Sequence, residues 1–200
     1  MSVKIITSRT DEEALMAVAS ASCPGADMPA GASGSRTRND RFRTPTDALH
    51  FLQAARAYTA RAHGADFELP RRAPSPAQLE RLRQIRDAVQ ALIDRDRRAY
   101  ERLTRALLDR YAFHLVPEGG LRPVGDGWDR FIAQRLPAVV AMAAQTDRLR
   151  RCANPACGWA VWDATKSNTR VWCDSRTCGN RMKVRAFRAR KRREGRTRRA

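Results

Sequence analysis

Between residues 44 and 147 apolar side chains recur at helical spacing, and capping signals bound each stripe. In "RTPTDALHFLQAARAYTARAHG" the residues Phe51, Ala55, Tyr58 and Ala62 share one face. Thr44 can cap this helix, Pro45 suits its first position, Asp47 stands three residues after the cap and Gly64 supplies a stop. The same grammar returns in "PSPAQLERLRQIRDAVQALI", where Ser75, Pro76 and Gln78 form the cap and Leu79, Leu82, Ile85, Val89 and Leu92 repeat every three or four residues. A third stripe, Tyr100, Leu103, Leu107 and Tyr111, follows closely. Periodicity does not decide whether it continues the second helix or turns back after Asp94.

In "AFHLVPEGGLRPVGDGW" two short apolar runs flank Pro117, Glu118, Gly119 and Gly120, which predicts a small β-hairpin. A further helix is predicted from about Trp128 through Phe131, Ile132, Val139 and Met142, with Pro137 bending or splitting it. Residues 44 to 147 therefore read as a mostly helical domain bearing a hairpin, and its apolar stripes read as core.

The two ends are different material. Residues 1 to 43 hold few large apolar groups after Met16 and include "CPGADMPAGASGSRTRNDR". They read as a mostly flexible segment with one short helix at 11 to 20, and Cys23 within it reads as an incidental free thiol. At the other end, eleven basic residues and one acidic residue, Glu194, lie between Arg181 and Arg199. This block carries more than half of a formal net charge of +18, so a polyanionic partner is expected, and nucleic acid is the commonest one inside a cell. The alternating signs of "LERLRQIRDAV" read instead as a solvated helix face.

No run of eighteen apolar residues exists, and Asp11, Glu12 and Glu13 precede any apolar stretch, so neither a membrane span nor a secretory signal fits. Five cysteines, four of them in two equally spaced pairs, suit a reducing cytoplasm and a metal better than a disulfide framework.

The pairs are Cys152-x4-Cys157 and Cys173-x4-Cys178, fifteen residues apart. A Zn²⁺ ion takes four thiolates in a tetrahedron, and each tight turn can deliver two sulfurs to one edge of it. Asn154, Pro155, Asp174 and Ser175 are the turn formers inside the pairs. Buried or disulfide-linked cysteines are the competing reading. Between the pairs, "GWAVWDATKSNTRVWC" carries Trp159, Trp162 and Trp172 around the polar turn "TKSN", which predicts a hairpin between the two knuckles. So small a module cannot build a sufficient core alone, so the tryptophans read as packing, with Trp159 the one open to exposure.

After Cys178, "GNRMKVRAFRARKRR" predicts a helix from about Gly179 whose free amides point at the thiolate cluster. Val184 and Phe187 fall on one side, suited to packing on the hairpin. Arg181, Arg185, Arg188 and Arg192 fall in an adjacent stripe at i, i+4, i+7 and i+11, suited to phosphates or to guanine edges in a major groove. The trailing residues 194 to 200 read as a flexible basic tail adding phosphate contacts.

The finger sequence resembles the CGNR zinc finger, whose signature appears here as Cys178, Gly179, Asn180 and Arg181. Asp163, Ser167, Arg170, Trp172 and Lys183 also look like that family's pattern. Such fingers usually follow a helical ABATE domain, and the layout of residues 44 to 147 is similar, although residues 1 to 43 lack the usual opening strand with an Asn-Thr motif. The resemblance implies a bacterial stress-related transcription regulator in which Cys152, Cys157, Cys173 and Cys178 hold Zn²⁺, the finger binds DNA and the helical domain senses a small ligand. Asn180 and Arg181 would be signature helix residues, with Asn180 bonding knuckle backbone and Arg181 and Lys183 facing nucleic acid.

The fold expected is mainly α: a flexible segment at 1 to 43, a helical domain at 44 to 147, a ββα treble-clef-like finger with four cysteine ligands at 148 to 193 and a basic tail. The partner expected is DNA at the nucleoid, with an RNA-binding or ribosome-associated role as the alternative and a homodimer as the assembly such regulators often use. Catalysis is not expected: His50, His63 and His114 are scattered, no phosphate loop or nucleophile motif is present, and an all-cysteine site leaves no open coordination position.

Overall fold

Side-chain caps set the helix starts. The computed structural model describes residues 8–22, 40–117 and 120–197. Cys23 and part of the predicted tail lie outside them. Helix α1 spans Arg9–Ala19, with Ser8 accepting from the Asp11 amide. Helix α2, Pro45–His63, starts on Thr44, which accepts from the Asp47 amide, and stops at Gly64 with φ 66°, a left-handed conformation that glycine adopts without strain. Helix α3, Pro76–Ile93, opens with a full capping box between Ser75 and Gln78.

The chain does turn back after α3. Arg95 sits at φ 62°, and Asp96 caps α4, Arg97–Leu108, by accepting from the Ala99 amide. The predicted hairpin is present as strands β1, Phe113–Val116, and β2, Gly120–Pro123, antiparallel with Leu115 opposite Leu121. The helix predicted from about Trp128 is split, as Pro137 allowed, into α5, Gly127–Ala133, and α6, Leu136–Ala143, with Pro137 in the first turn of α6. Strands β3, Leu149–Arg151, and β4, Ala160–Trp162, form a second antiparallel pair, and α7, Asn180–Thr197, ends the described chain. The molecule is thus mainly α with a small cysteine-containing ββα unit.

Helix α3 is the hub, packing against α1, α2, α4, α5, α6 and β3. Its predicted stripe Leu79, Leu82, Ile85, Val89 and Leu92 is buried throughout. The short helix expected at 11 to 20 is present as α1, but it lies inside the core, while residues 1–7 and 23–39 of the segment expected to be flexible lie outside the described residues. Ala14, Leu15, Ala17, Val18 and Ala19 of α1 are 0% exposed, and α1 is enclosed by α2, α3, α6 and β4. A helix covered on all sides must be narrow, so "ALMAVA" is mostly small residues. That composition looks like a weak hydrophobic signal when the chain is scanned for large apolar side chains.

Polar groups pin α1 as well. Asp11 bonds Arg135 at 3.1 Å, and Arg135, 2% exposed, lays its guanidinium 4.2 Å over the Phe131 ring. Burial pulls the Arg135 pKa down to about 10 against the opposing pull of Asp11, so the group stays charged at neutral pH. Asp11→Asn should therefore lower stability by about 2–3 kcal/mol, because a buried cation loses its counter-charge. Urea unfolding measures this, and an unchanged midpoint would show that Asp11 does not neutralise Arg135.

Candidate metal centre and the helix that leaves it

The first cysteine pair is the turn of a hairpin. Strands β3 and β4 pair Leu149 with Trp162 and Arg151 with Ala160, and the ladder closes with the Cys152 amide donating to the Trp159 carbonyl at 2.8 Å. Inside the turn, the Asn154 side chain accepts from the Ala156 amide, the Asn154 carbonyl accepts from the Cys157 amide at 2.9 Å, and Gly158 takes φ 66°. The hairpin therefore encloses the first knuckle; it does not lie between the two knuckles as the sequence suggested.

Residues 163 to 172 return without strand structure because side chains take up the backbone bonds there. Asp163, 0% exposed, accepts from the Thr165 amide at 2.9 Å, the Thr165 hydroxyl at 2.6 Å and the Arg170 amide at 2.6 Å. Burial works against its carboxylate, but these bonds and the nearby charge of Arg150 outweigh it and hold the pKa below the ordinary range. Arg170 donates to the Trp172 carbonyl at 3.1 Å and also to the Cys173 carbonyl, which fixes the approach to the second pair.

The second pair is joined by a wide helical turn, Ser175–Gly179, capped by Asp174, whose side chain accepts from the Arg176 amide. Gly179 is buried beneath the Trp172 indole: a Cβ placed there would lie 3.1 Å from Trp172 Cδ1. Gly179→Ala should consequently force the indole away beside a ligand cysteine and cost about 1–3 kcal/mol. Thermal melting of the metal-loaded protein tests this, and an unaltered Tm would mean that Trp172 yields freely.

These turns gather the four sulfurs. Cys152, Cys157, Cys173 and Cys178 are all buried, and their Sγ atoms lie within 4.8 Å of one another. Cys157 and Cys173 stand 3.7 Å apart, and Cys173 and Cys178 3.6 Å. A disulfide would bring two sulfurs to about 2.05 Å, whereas a tetrahedron with metal–sulfur bonds of about 2.3 Å has edges of about 3.8 Å. The spacing is that of a tetrahedral thiolate site, so the residues fit a metal ion.

Hydrogen bonds from nitrogen stabilise the sulfurs further: the Cys173 amide donates to Cys152 Sγ at 3.5 Å and the Asn154 side chain to Cys178 Sγ at 3.4 Å. Hydrogen bonds from the thiols of Cys157 and Cys173 pull the Cys152 pKa down, and the same sharing pushes those of Cys157 and Cys173 up. Metal binding must displace the protons held in these S–H contacts.

Residues 148–191 match the family model of the CGNR zinc finger. No curated protein matches the chain. The signature of the CGNR finger has a physical reading here: Cys178 is one of the four gathered cysteines, Gly179 makes room for Trp172, and Asn180 and Arg181 open α7. The bond to the knuckle expected of Asn180 is made by Asn154 instead, and Asn180 itself is exposed. The only sequence signal for Asn154 was its place as a turn former inside the first cysteine pair.

The CGNR finger is not a separate body. Trp159, expected to be open to exposure, is 5% exposed and sits between Phe51 and Tyr58 of α2, with ring centroids 6.3 and 5.8 Å away. Trp162 and Trp172 pack on the same core. The Ser20 hydroxyl accepts from the Ala160 amide at 3.0 Å, and Arg151 donates to Asp94 at 2.7 Å and to Gln90. Tyr58 is half-buried against Trp159, and that burial pushes its pKa up. Ser20 and Gln90 escaped sequence reasoning because their partners lie far along the chain.

Helix α7 is the exception to this burial. Its neighbour in the fold is the turn from which it grows. Arg181, Arg185, Arg188 and Arg192 are exposed and border one shallow cleft together with Asn180 and Val184. Lys183 is exposed too, but helical spacing puts it on the opposite side from the arginine stripe. Val184 and Phe187, expected to pack on the hairpin, are 40% and 54% exposed, because α7 leaves the body and does not fold back on it. The helix also continues to Thr197, through residues expected to belong to the tail. Among the described residues no helix is long and apolar enough to cross a membrane.

Proposed function

We propose that the chain is a zinc-dependent DNA-binding protein, a bacterial transcription regulator acting at the nucleoid through its C-terminal helix. The observation that carries this reading is the exposed arginine stripe on α7, rooted in the turn that supplies Cys178. Guanidinium groups at i, i+4, i+7 and i+11 form a row along about 16 Å of helix, which suits successive phosphates or guanine edges. The metal would fix where that row points. A closed site of four thiolates suits zinc in a structural role, without an open position for substrate. The site has no catalytic part in this proposal.

A sensing role for the helical part, as in ABATE-type regulators, has one supporting feature. A cleft between α1, the end of α2 and the finger is lined by Glu13, Met16, His63, Trp159, Trp162 and Arg170. Within it His63 Nδ1 lies 3.2 Å from Glu13 and 3.4 Å from Arg170. A small ligand seated there would touch both the helices and the finger, and a homodimer on paired half-sites would complete the arrangement.

The deciding experiment offers the zinc-loaded protein random duplex DNA and structured RNA together at near-physiological salt, with Cys178→Ser as control. Enrichment of a DNA motif that the control does not enrich is expected. Enrichment of RNA, or of nothing beyond bulk charge, would overturn the regulator reading.

A further inference from the structure

On a helix as basic as α7, two large apolar side chains left in solvent call for a partner. Phe187 is 54% and Val184 40% exposed, and they stand three residues apart, one turn of the same face. Phe187 carries the Arg190 guanidinium at 5.6 Å from its ring, which covers one side of it.

Helical spacing places these residues relative to the arginines. At about 100° per residue, Phe187, Asn180, Val184, Arg188, Arg181 and Arg185 follow one another around an arc of about 160°. Val184 and Arg188 stand at its middle. The two less exposed residues of this stretch, Met182 and Ala189, lie on the opposite side. The arc that would face a bound partner thus has cations on one flank and apolar groups on the other, meeting in the cleft that Val184 shares with the arginines.

A phosphate surface alone would match the cationic flank and leave Val184 and Phe187 facing water. The major groove of DNA offers both chemistries: guanine O6 and N7 acceptors for arginine, and the C5-methyl of thymine for an apolar side chain. It is about 12 Å wide and admits one α-helix. Charge complementarity with the arginine flank selects DNA as the occupant of this face.

We infer that Val184 and Phe187 are specificity-determining residues that contact thymine methyl groups in the major groove while the arginine flank contacts guanine and phosphate. This rests on the DNA-binding reading and adds to it a preference for thymine at the positions that these two residues face.

The test uses the duplex that the full-length zinc-loaded protein enriches best, with deoxyuridine replacing thymidine one position at a time. Wild type is expected to lose about fourfold in affinity at one or two positions, the factor for one buried methyl-sized group. Phe187→Ala and Val184→Ala, whose exposed positions leave the fold intact, should each bind thymine and uracil duplexes equally at one of those positions. Equal binding by wild type, or discrimination retained in both variants, would overturn the inference while leaving DNA binding standing. A dimer in sedimentation that Phe187→Ala converts to monomer would also overturn it, since the edge would then join two copies. Failure to enrich any duplex sequence would instead sink the regulator reading beneath it.

Discussion

Stripping the metal with a chelator is expected to unfold the helical body together with the finger, in one transition. The four clustered cysteines are 5–8% exposed and belong to the same hydrophobic cluster as Leu15, Phe51, Leu82 and Ile132. Trp159 of the finger fills the space beside Phe51 and Tyr58, and the finger strand β4 packs on α1. Binding of a structural zinc contributes on the order of 10 kcal/mol, comparable to the total stability of a domain, about 5–15 kcal/mol. Removing it withdraws support from both sides of a shared core. Cys178→Ser should act in the same direction, because it replaces one of the four thiolates by a hydroxyl that binds zinc poorly. Far-ultraviolet circular dichroism against temperature, with and without chelator, reads the outcome. A helical signal that persists after the finger has melted would show that the helices stand alone. Acid should act as chelation does, since protons compete for the same sulfurs, so metal loading is present at neutral pH and lost as pH falls.

The second large effect concerns α7. Replacing Arg181, Arg185, Arg188 and Arg192 together by Ala should reduce nucleic-acid affinity roughly 10³-fold near physiological salt and flatten the log-log salt dependence by about 3 to 4 units, if each arginine neutralises one phosphate. The fold should be untouched, because all four side chains are exposed and α7 packs on little beyond its own root. Titrations at several salt concentrations, with thermal melting as the fold control, decide it. An unchanged salt slope would place the nucleic-acid surface elsewhere on this basic molecule. Lys183→Ala serves as an internal comparison, since Lys183 lies off the stripe and should matter much less.

Elements whose cause is local were legible in the chain itself. The caps at Thr44 and Ser75, the stop at Gly64, the break near Pro137 and the β1–β2 hairpin each depend on a few neighbouring residues. The metal centre was legible for the same reason: each knuckle is a short turn, and two cysteines separated by four residues specify it nearly alone. What was misread depended on distant partners. The pairing of β3 with β4 around the first knuckle follows from where residues before Cys152 can reach, and the loop from Asp163 to Arg170 is built by side-chain bonds that no periodicity reports.

Sequence alone thus determined the capped starts of α2 and α3, the two cysteine pairs and the register of arginines on α7, because these follow from spacing along one stretch of chain. Only the tertiary structure decided that α1 lies inside the core, that the finger shares that core through Trp159 and Ser20, and that Val184 and Phe187 face solvent. Burial is a property of what surrounds a residue. A narrow alanine-rich helix enclosed on all sides and an apolar pair on a projecting helix carry no mark of their surroundings in their own sequence.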